Sequence, residues 1–333
     1  MEALLELVRA LPADLAASIV VVLHVSPHYH SMLPKMLAAA GELSAEHARD
    51  GETLKPGRIY VAPPDWHLLV KETVLRLSRG PHENGARPAI DPLFRSAARS
   101  LGARVIGVVL SGSLDDGTAG LHAVKRRGGI AIVQDPEEAL CPDMPRNALE
   151  ATKVDYVVTI AALAKLLPRL VRQEVASRGA DRIESDDDLQ IGLPNALGAD
   201  GARVAPSHFS CPSCGGVLME IHDGDVLHFR CQVGHAFGAE TLRIEQEDAL
   251  EAALWAALRA LEEKAMLARR LAQRARENRQ VKSAERFDAR SLSAERQARL
   301  VRETLQHEVE LVRPGVPARR LKRAKKTRSE KAS

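Results

Sequence analysis

Aromatic side chains are scarce in this chain: five Phe, three Tyr and two Trp among 333 residues. A core of this composition rests on Leu, Val, Ile and Ala rather than on large rings. Long apolar runs are also missing. The longest obvious one, Ile19-Val-Val-Val-Leu23, is strand-sized and far short of the ~18 residues that read as a membrane span, so no membrane insertion is expected. No basic start followed by an apolar stretch and a small-residue cleavage site opens the chain, which argues against secretion and for a cytoplasmic protein. Four cysteines are too few for a disulfide framework, and three of them stand at metal-binding spacing. No G-x-G-x-x-G turn follows a strand, so a dinucleotide cofactor is not expected.

What is present suggests about two domains, at ~100–200 residues each. The net charge of +3 is uneven, because residues 313–333 hold nine Lys/Arg against one Glu and the rest of the chain carries −5. That basic tail is expected to be disordered. Residues 1–172 alternate strand-like and helix-like segments. Ser18–Val25, Arg58–Ala62, Arg104–Leu110, Ile130–Gln134 and Asp155–Val158 read as buried strands. Helix patterns separate them around Ser31–Ala40, Pro92–Leu101, Thr118–Arg127 and Ala161–Val171. This order predicts an α/β fold with a doubly wound, mostly parallel sheet. His67–Ser78 alternates like an antiparallel hairpin at one side. Residues 173–207 read as a flexible linker, 208–238 as a small ribbon and 239–312 as a helical hairpin or coiled coil. Its stripe runs through Leu250, Leu254, Leu258, Leu261, Ala265 and Ala268, a surface also suited to self-association.

The strongest spacing signal is Cys211-Pro-Ser-Cys214 followed by Cys231-Gln-Val-Gly-His235. Three thiolates and an imidazole make a closed tetrahedral set, the usual structural zinc arrangement. His228 or His222 could stand in for His235, and free packed cysteines are the plainer alternative. His24 ends the first strand, where reactive groups gather in open α/β sheets, though a strand-end His also serves as a packing residue. Arg104–Leu110 runs into Ser111-Gly-Ser-Leu-Asp-Asp-Gly117, which places Asp115 and Asp116 beyond a second strand. Asp116 fits a helix cap, or the carboxylate that orients a histidine base.

Several blocks in order resemble the chemotaxis protein-glutamate methylesterase family: HVSP after the first strand, DGETLKPGRIYVAPPDWHL (Asp50–Leu68), RPAIDPLF (Arg87–Phe94), GVVLSGSLDDGTAGL (Gly107–Leu121) and MPRNAL (Met144–Leu149). The resemblance covers residues 1 to about 172. It implies a Ser-His-Asp esterase that hydrolyses γ-glutamyl methyl esters on chemoreceptor helices to glutamate and methanol. His24 matches the family's base and Asp116, rather than Asp115, its carboxylate. Ser111 and Ser113 match the oxyanion or substrate loop, although Ser113-Leu114 replaces the commoner Met-Gly pair. The family carries its serine in a G-A-S-x-G-G turn just ahead of the segment resembling Glu2–Val8. Ser26, Ser111 and Ser113 are poor replacements. The expectation is therefore a displaced start, with the serine upstream of Met1. The alternative is an inactive scaffold that binds methylated receptor without releasing methanol. No phosphoacceptor receiver pattern stands ahead of the esterase blocks, so control is expected through the ribbon and helices. These could dock a receptor or a receptor methyltransferase. Nucleic-acid binding is a weaker rival, because the ribbon is not visibly basic and a Lys/Arg tail gives only salt-sensitive attraction.

Overall fold

Strands form where β-branched residues cluster and stop where their pairing partners end. In the computed structural model, which describes residues 1–25, 31–175 and 202–311 with side chains through 306, the chain divides into two compact units, Met1–Glu245 and the residues from Gln246 onward. Ser26, the linker stretch 176–201 and the basic tail from 313 lie outside the described residues.

The first unit begins with α1 (Glu2–Ala10), β1 (Ile19–Val21), α2 (Leu33–Ala40), β2 (Ser44–His47) and β3 (Arg58–Val61). The hairpin β4 (His67–Lys71) and β5 (Val74–Ser78) follows, then α3 (Ile90–Leu101) and a short 3-10 turn. Next come β6 (Ile106–Val109), α4 (Thr118–Arg126), β7 (Ile130–Gln134), α5 (Asp143–Ala151), β8 (Tyr156–Val158) and α6 (Ile160–Val171). β1, β3 and β2 pair in parallel in that order, with Ile19 opposite Ile59. β6, β7 and β8 form a second parallel set, with Ile106 opposite Ile130. The hairpin is antiparallel, as its alternation requires.

Strand alternation sorts side chains onto two faces. Ile59 and Val61 join Leu7, Val8, Leu37, Ile132 and Leu163 in one core with α1, α2 and α6. Tyr60, between them, faces Leu68, Leu75, Leu93 and Val124, a second core under the hairpin, α3 and α4. Helices on both faces make the sheet doubly wound. β7 repeats the pattern: Ile132 enters the first core while Ala131 and Val133 pack with Leu121, Met144 and Ala148. Fully burying one such aliphatic side chain contributes about 1.5–3 kcal/mol.

The same unit contains the ribbon, an antiparallel sheet in the order β12-β11-β10-β9, formed by β9 (Arg203–Ser210), β10 (Val217–Asp223), β11 (Val226–Cys231) and β12 (Ala236–Gly238). β9 begins inside the stretch expected as linker. Its irregular pattern hid the strand because most of its residues are exposed.

The second unit is a helical hairpin built on α7 (Ala239–Glu277, which starts in the first unit) and α8 (Val281–Leu311). Its seam is alanine-rich. Leu258, Ala265, Ala268, Ala272 and Ala275 are buried on α7, and Ala284, Ser291, Ala294, Ala298 and Leu305 on α8. Both series step by three, four or seven, the period of paired helices. Leu250, at the head of the expected stripe, is 53% exposed. No described helix is long and apolar enough to cross a membrane.

Candidate active site and metal-binding cluster

β1 delivers His24 just beyond its carboxyl end, and β6 leads into the loop that carries Asp116. His24 Nε2 lies 2.7 Å from Asp116 Oδ2. The carboxylate is 2% exposed and the imidazole side chain 39%, so one partner is sealed and the other is reachable. Four groups converge on the two Asp116 oxygens. Besides His24, the backbone N–H of Ile90 donates at 2.6 Å, that of Asp91 at 3.2 Å and Asn84 Nδ2 at 2.8 Å. Ile90 and Asp91 open α3, where helix N–H groups lack internal partners and the dipole favours an anion. Asp91 Oδ1 in turn accepts from Gly120 N at 2.7 Å in the first turn of α4. Each carboxylate thus caps the helix that carries or follows the other.

Electrostatics separates the two acids. Burial and the Asp116 charge push Asp91 up to about 8, so it holds its proton at neutral pH. Burial would also raise Asp116. The His24 hydrogen bond and charge, with the Ile90 and Asn84 donors, outweigh it and hold Asp116 below the ordinary carboxylate value. Burial pulls His24 down, but its hydrogen bond to Asp116 and the Asp116 charge leave it raised. An ionised carboxylate only accepts hydrogen bonds, so His24 must donate from Nε2. The neutral ring then carries its lone pair on Nδ1, which takes no hydrogen bond among the described residues. Such an imidazole can accept a proton from a hydroxyl.

The two serines of the loop sit differently. Ser111 is held in place: its N–H donates to Gln134 Oε1 at 2.8 Å and its Oγ accepts from Cys141 N at 2.9 Å. Ser113 is exposed. Neither is hydrogen-bonded to His24. Leu114 stands at φ +64°, the left-handed region that disfavours a Cβ. Its carbonyl accepts from Asn147 Nδ2 at 2.7 Å, which holds the turn. Asn84, Asp91 and Asn147 were not among the expected site residues. Asp91 and Asn147 lie inside recognisable blocks, while Asn84 lies just ahead of the block Arg87–Phe94 with no motif of its own.

The cysteines form a separate centre. The ligand atoms of Cys211, Cys214, Cys231 and His235 all lie within 4.8 Å of one another, and none of the cysteines is in a disulfide. Cys214 Sγ is 3.7 Å from Cys231 Sγ, and His235 Nδ1 is 3.7 Å from Cys211 Sγ and 3.5 Å from Cys231 Sγ. A tetrahedral zinc with about 2.3 Å bonds to sulfur and about 2.0 Å to nitrogen has ligand–ligand edges of about 3.5–3.8 Å. The donor set therefore fits. Each half is a tight turn with a left-handed glycine, Gly215 at φ +72° and Gly234 at φ +106°. Gly215 N donates to Cys211 O at 2.8 Å and Gly234 N to Cys231 O at 2.9 Å, which aims the sulfurs inward. His222 instead pairs with Glu220 at 2.6 Å, and His228 is not in the cluster.

A family model described as CheB methylesterase matches residues 1–167. The chain is 34% identical over 174 residues to the "Protein-glutamate methylesterase/protein-glutamine glutaminase" of Pyrococcus abyssi, a match covering 51% of this chain and 47% of that protein. It thus spans about half the length of that relative. It is 38% identical over 169 residues to a Leptospira interrogans protein named for the same two activities, covering 50% of this chain and 88% of the other. Among solved structures, the Thermotoga maritima CheB methylesterase catalytic domain matches with a TM-score of 0.49 and 34% identity, over 51% of this chain and 92% of that one.

Proposed function

The chain belongs to the CheB methylesterase family, and on that premise we propose that residues 1–172 are part of a domain that hydrolyses γ-glutamyl methyl esters on chemoreceptor helices to glutamate and methanol. The observation that carries this reading is the His24–Asp116 pair, a reachable imidazole set on a sealed, ionised carboxylate. A serine hydroxyl attacks the γ-carbonyl while His24 Nδ1 takes its proton, and Asp116 stabilises the imidazolium. Backbone N–H groups hold the oxyanion, to which the loop at Ser111–Ser113 contributes. His24 returns the proton to the departing methoxide. Water then attacks the acyl-enzyme with His24 again as base, and His24 returns the proton to the departing serine oxygen, leaving a glutamate side chain on the receptor. No organic cofactor takes part.

The serine comes on a strand that pairs between β1 and β6. Supporting this, each of those strands keeps an edge without a strand partner among the described residues, and their carboxyl ends meet at His24 and Asp116. A partly buried sheet edge calls for a partner. The test is methanol release from methylated receptor, with His24→Ala as control. Release that depends on His24 supports the esterase. Receptor binding without methanol favours the scaffold alternative, in which the fold only tethers the ribbon and hairpin to a signalling complex.

The Cys211–Cys214–Cys231–His235 centre holds a structural zinc. Four protein ligands leave no open position for chemistry, and its role is to staple a ribbon with a small core. One zinc per chain by elemental analysis, lost in Cys214→Ser, is the expected result. Residues 208–238 are this module and 239–312 the hairpin, with free thiols consistent with a cytoplasmic setting. A receptor methyltransferase or a second copy are the partners the hairpin would serve.

A further inference from the structure

The ribbon is seated on the back of the proposed catalytic pair, and the seam carries a set of defined polar contacts. β12 runs beside the loop ahead of α3: Asn84 N donates to Ala236 O at 2.8 Å, and Ala236 N to His82 O at 3.4 Å. Glu83, 8% exposed, accepts both bonds of Arg95 at 2.8 Å and one from Arg230 of β11 at 3.1 Å. Asp115, next to Asp116, accepts the N–H groups of Glu240 at 3.0 Å and Thr241 at 3.3 Å and the Thr241 hydroxyl. It therefore caps the first turn of α7 from another element, satisfying donors the helix cannot satisfy itself. Arg126 of α4 pairs with Asp223 of β10.

One side chain joins this seam to the site. Asn84 Oδ1 accepts from Gly238 N, the last residue of β12, at 2.7 Å. Its Nδ2 donates to Asp116 Oδ1 at 2.8 Å and to Asp91 Oδ2 at 2.9 Å, between two buried acids. An asparagine suits the place, since its backbone stands at φ +50°, where Asn is tolerated better than most residues.

We propose that the metal-stapled ribbon holds Asp116 in position against His24 through Asn84, making Asn84 a positioning residue and the Cys211–His235 centre a control point for the esterase site. The inference rests on the esterase and zinc readings above. Loss of the metal by chelation melts the β11–β12 turn that His235 anchors. Gly238 then leaves Asn84, and the amide is free to turn away from Asp116. The turned carboxylate no longer meets Nε2.

The test uses the full chain with isotope-labelled histidine, the His24 resonance being assigned with His24→Gln. His24 is titrated in the zinc-loaded protein, after chelator treatment, in Asn84→Gly and in Gly238→Ala. Gly238→Ala spares every metal ligand but drives a methyl group into Asp115 Oδ2, wedging the seam apart. The expected result is a His24 titration moved to lower pH in all three perturbed states, with chelator adding nothing in Asn84→Gly. An unchanged titration in Gly238→Ala and in chelated protein, with circular dichroism showing the α/β part folded, overturns the proposal. Failure of the zinc reading shows separately as absent metal, and failure of the esterase reading as absent methanol. In either event Gly238→Ala still decides the coupling.

Discussion

Replacing Asp116 by Asn keeps its shape and removes its charge, and the structure specifies the consequence. The carboxylate accepts four hydrogen bonds on two oxygens. An amide offers one accepting oxygen, so its NH2 must face either the Ile90 N–H or the pair formed by Asp91 N–H and Asn84 Nδ2. At least one buried donor goes unsatisfied, at roughly 1–3 kcal/mol. For a unit of this size roughly 2–4 °C of Tm is lost per kcal/mol, so Tm should fall by roughly 2–12 °C with the fold retained. His24 then loses the hydrogen bond and charge that raise it, while the burial that lowers it remains. Its pKa should cross from above 6.5 to below. In the wild type, a raised histidine contributes stability in full below 6.5, lost as pH rises through the folded value. In the variant the slope should reverse, stability falling as pH drops through the lowered value, and turnover should drop by about 10⁴-fold. Histidine NMR, thermal melts and methanol release measure the three effects. A folded variant in which His24 still titrates above 6.5 would refute the assigned pairing.

Other outcomes follow from the same contacts. Leu114→Val places a β-branched residue at φ +64° and should cost roughly 1–3 kcal/mol in urea unfolding, whereas a loop that relaxes freely would show no change. Burial acts to raise Glu83, but Arg95 and Arg230 hold it down to about 2, so its contribution is full above 4.5 and lost as pH falls from 4.5 through about 2. The loss amounts to about 3 kcal/mol at about 1.4 kcal/mol per pH unit, and Glu83→Gln should flatten that part of the stability–pH curve. Ala272 is fully buried in the hairpin seam, so Ala272→Leu should overpack it and destabilise the second unit by roughly 1–3 kcal/mol, seen as an earlier helical melt.

The local patterns of this chain determined a good deal. A continuous apolar run at Ser18–Val25 and alternation at His67–Ser78 specify a parallel strand and an antiparallel hairpin, because side-chain period is a property of the segment itself. The pairs Cys211/Cys214 and Cys231/His235 announce their cluster for the same reason, each half being one short turn. Residues that act across elements were not legible. Asn84 has no motif, and its importance arises only where the loop before α3 meets Asp116 on one side and β12 on the other. The first five residues of β9 fell in the stretch read as linker because they are mostly exposed, so the strand shows no period until β10 supplies a partner. The seating of the ribbon on Asp115 and Glu83 depends on polar partners 125 and more residues apart, as with Asp115 and Thr241 or Glu83 and Arg230, separated by 126 and 147 positions. Spacing along a chain encodes what one helix, strand or turn can reach. Which buried carboxylate receives which donor is decided only when distant elements pack and the desolvated groups must find partners.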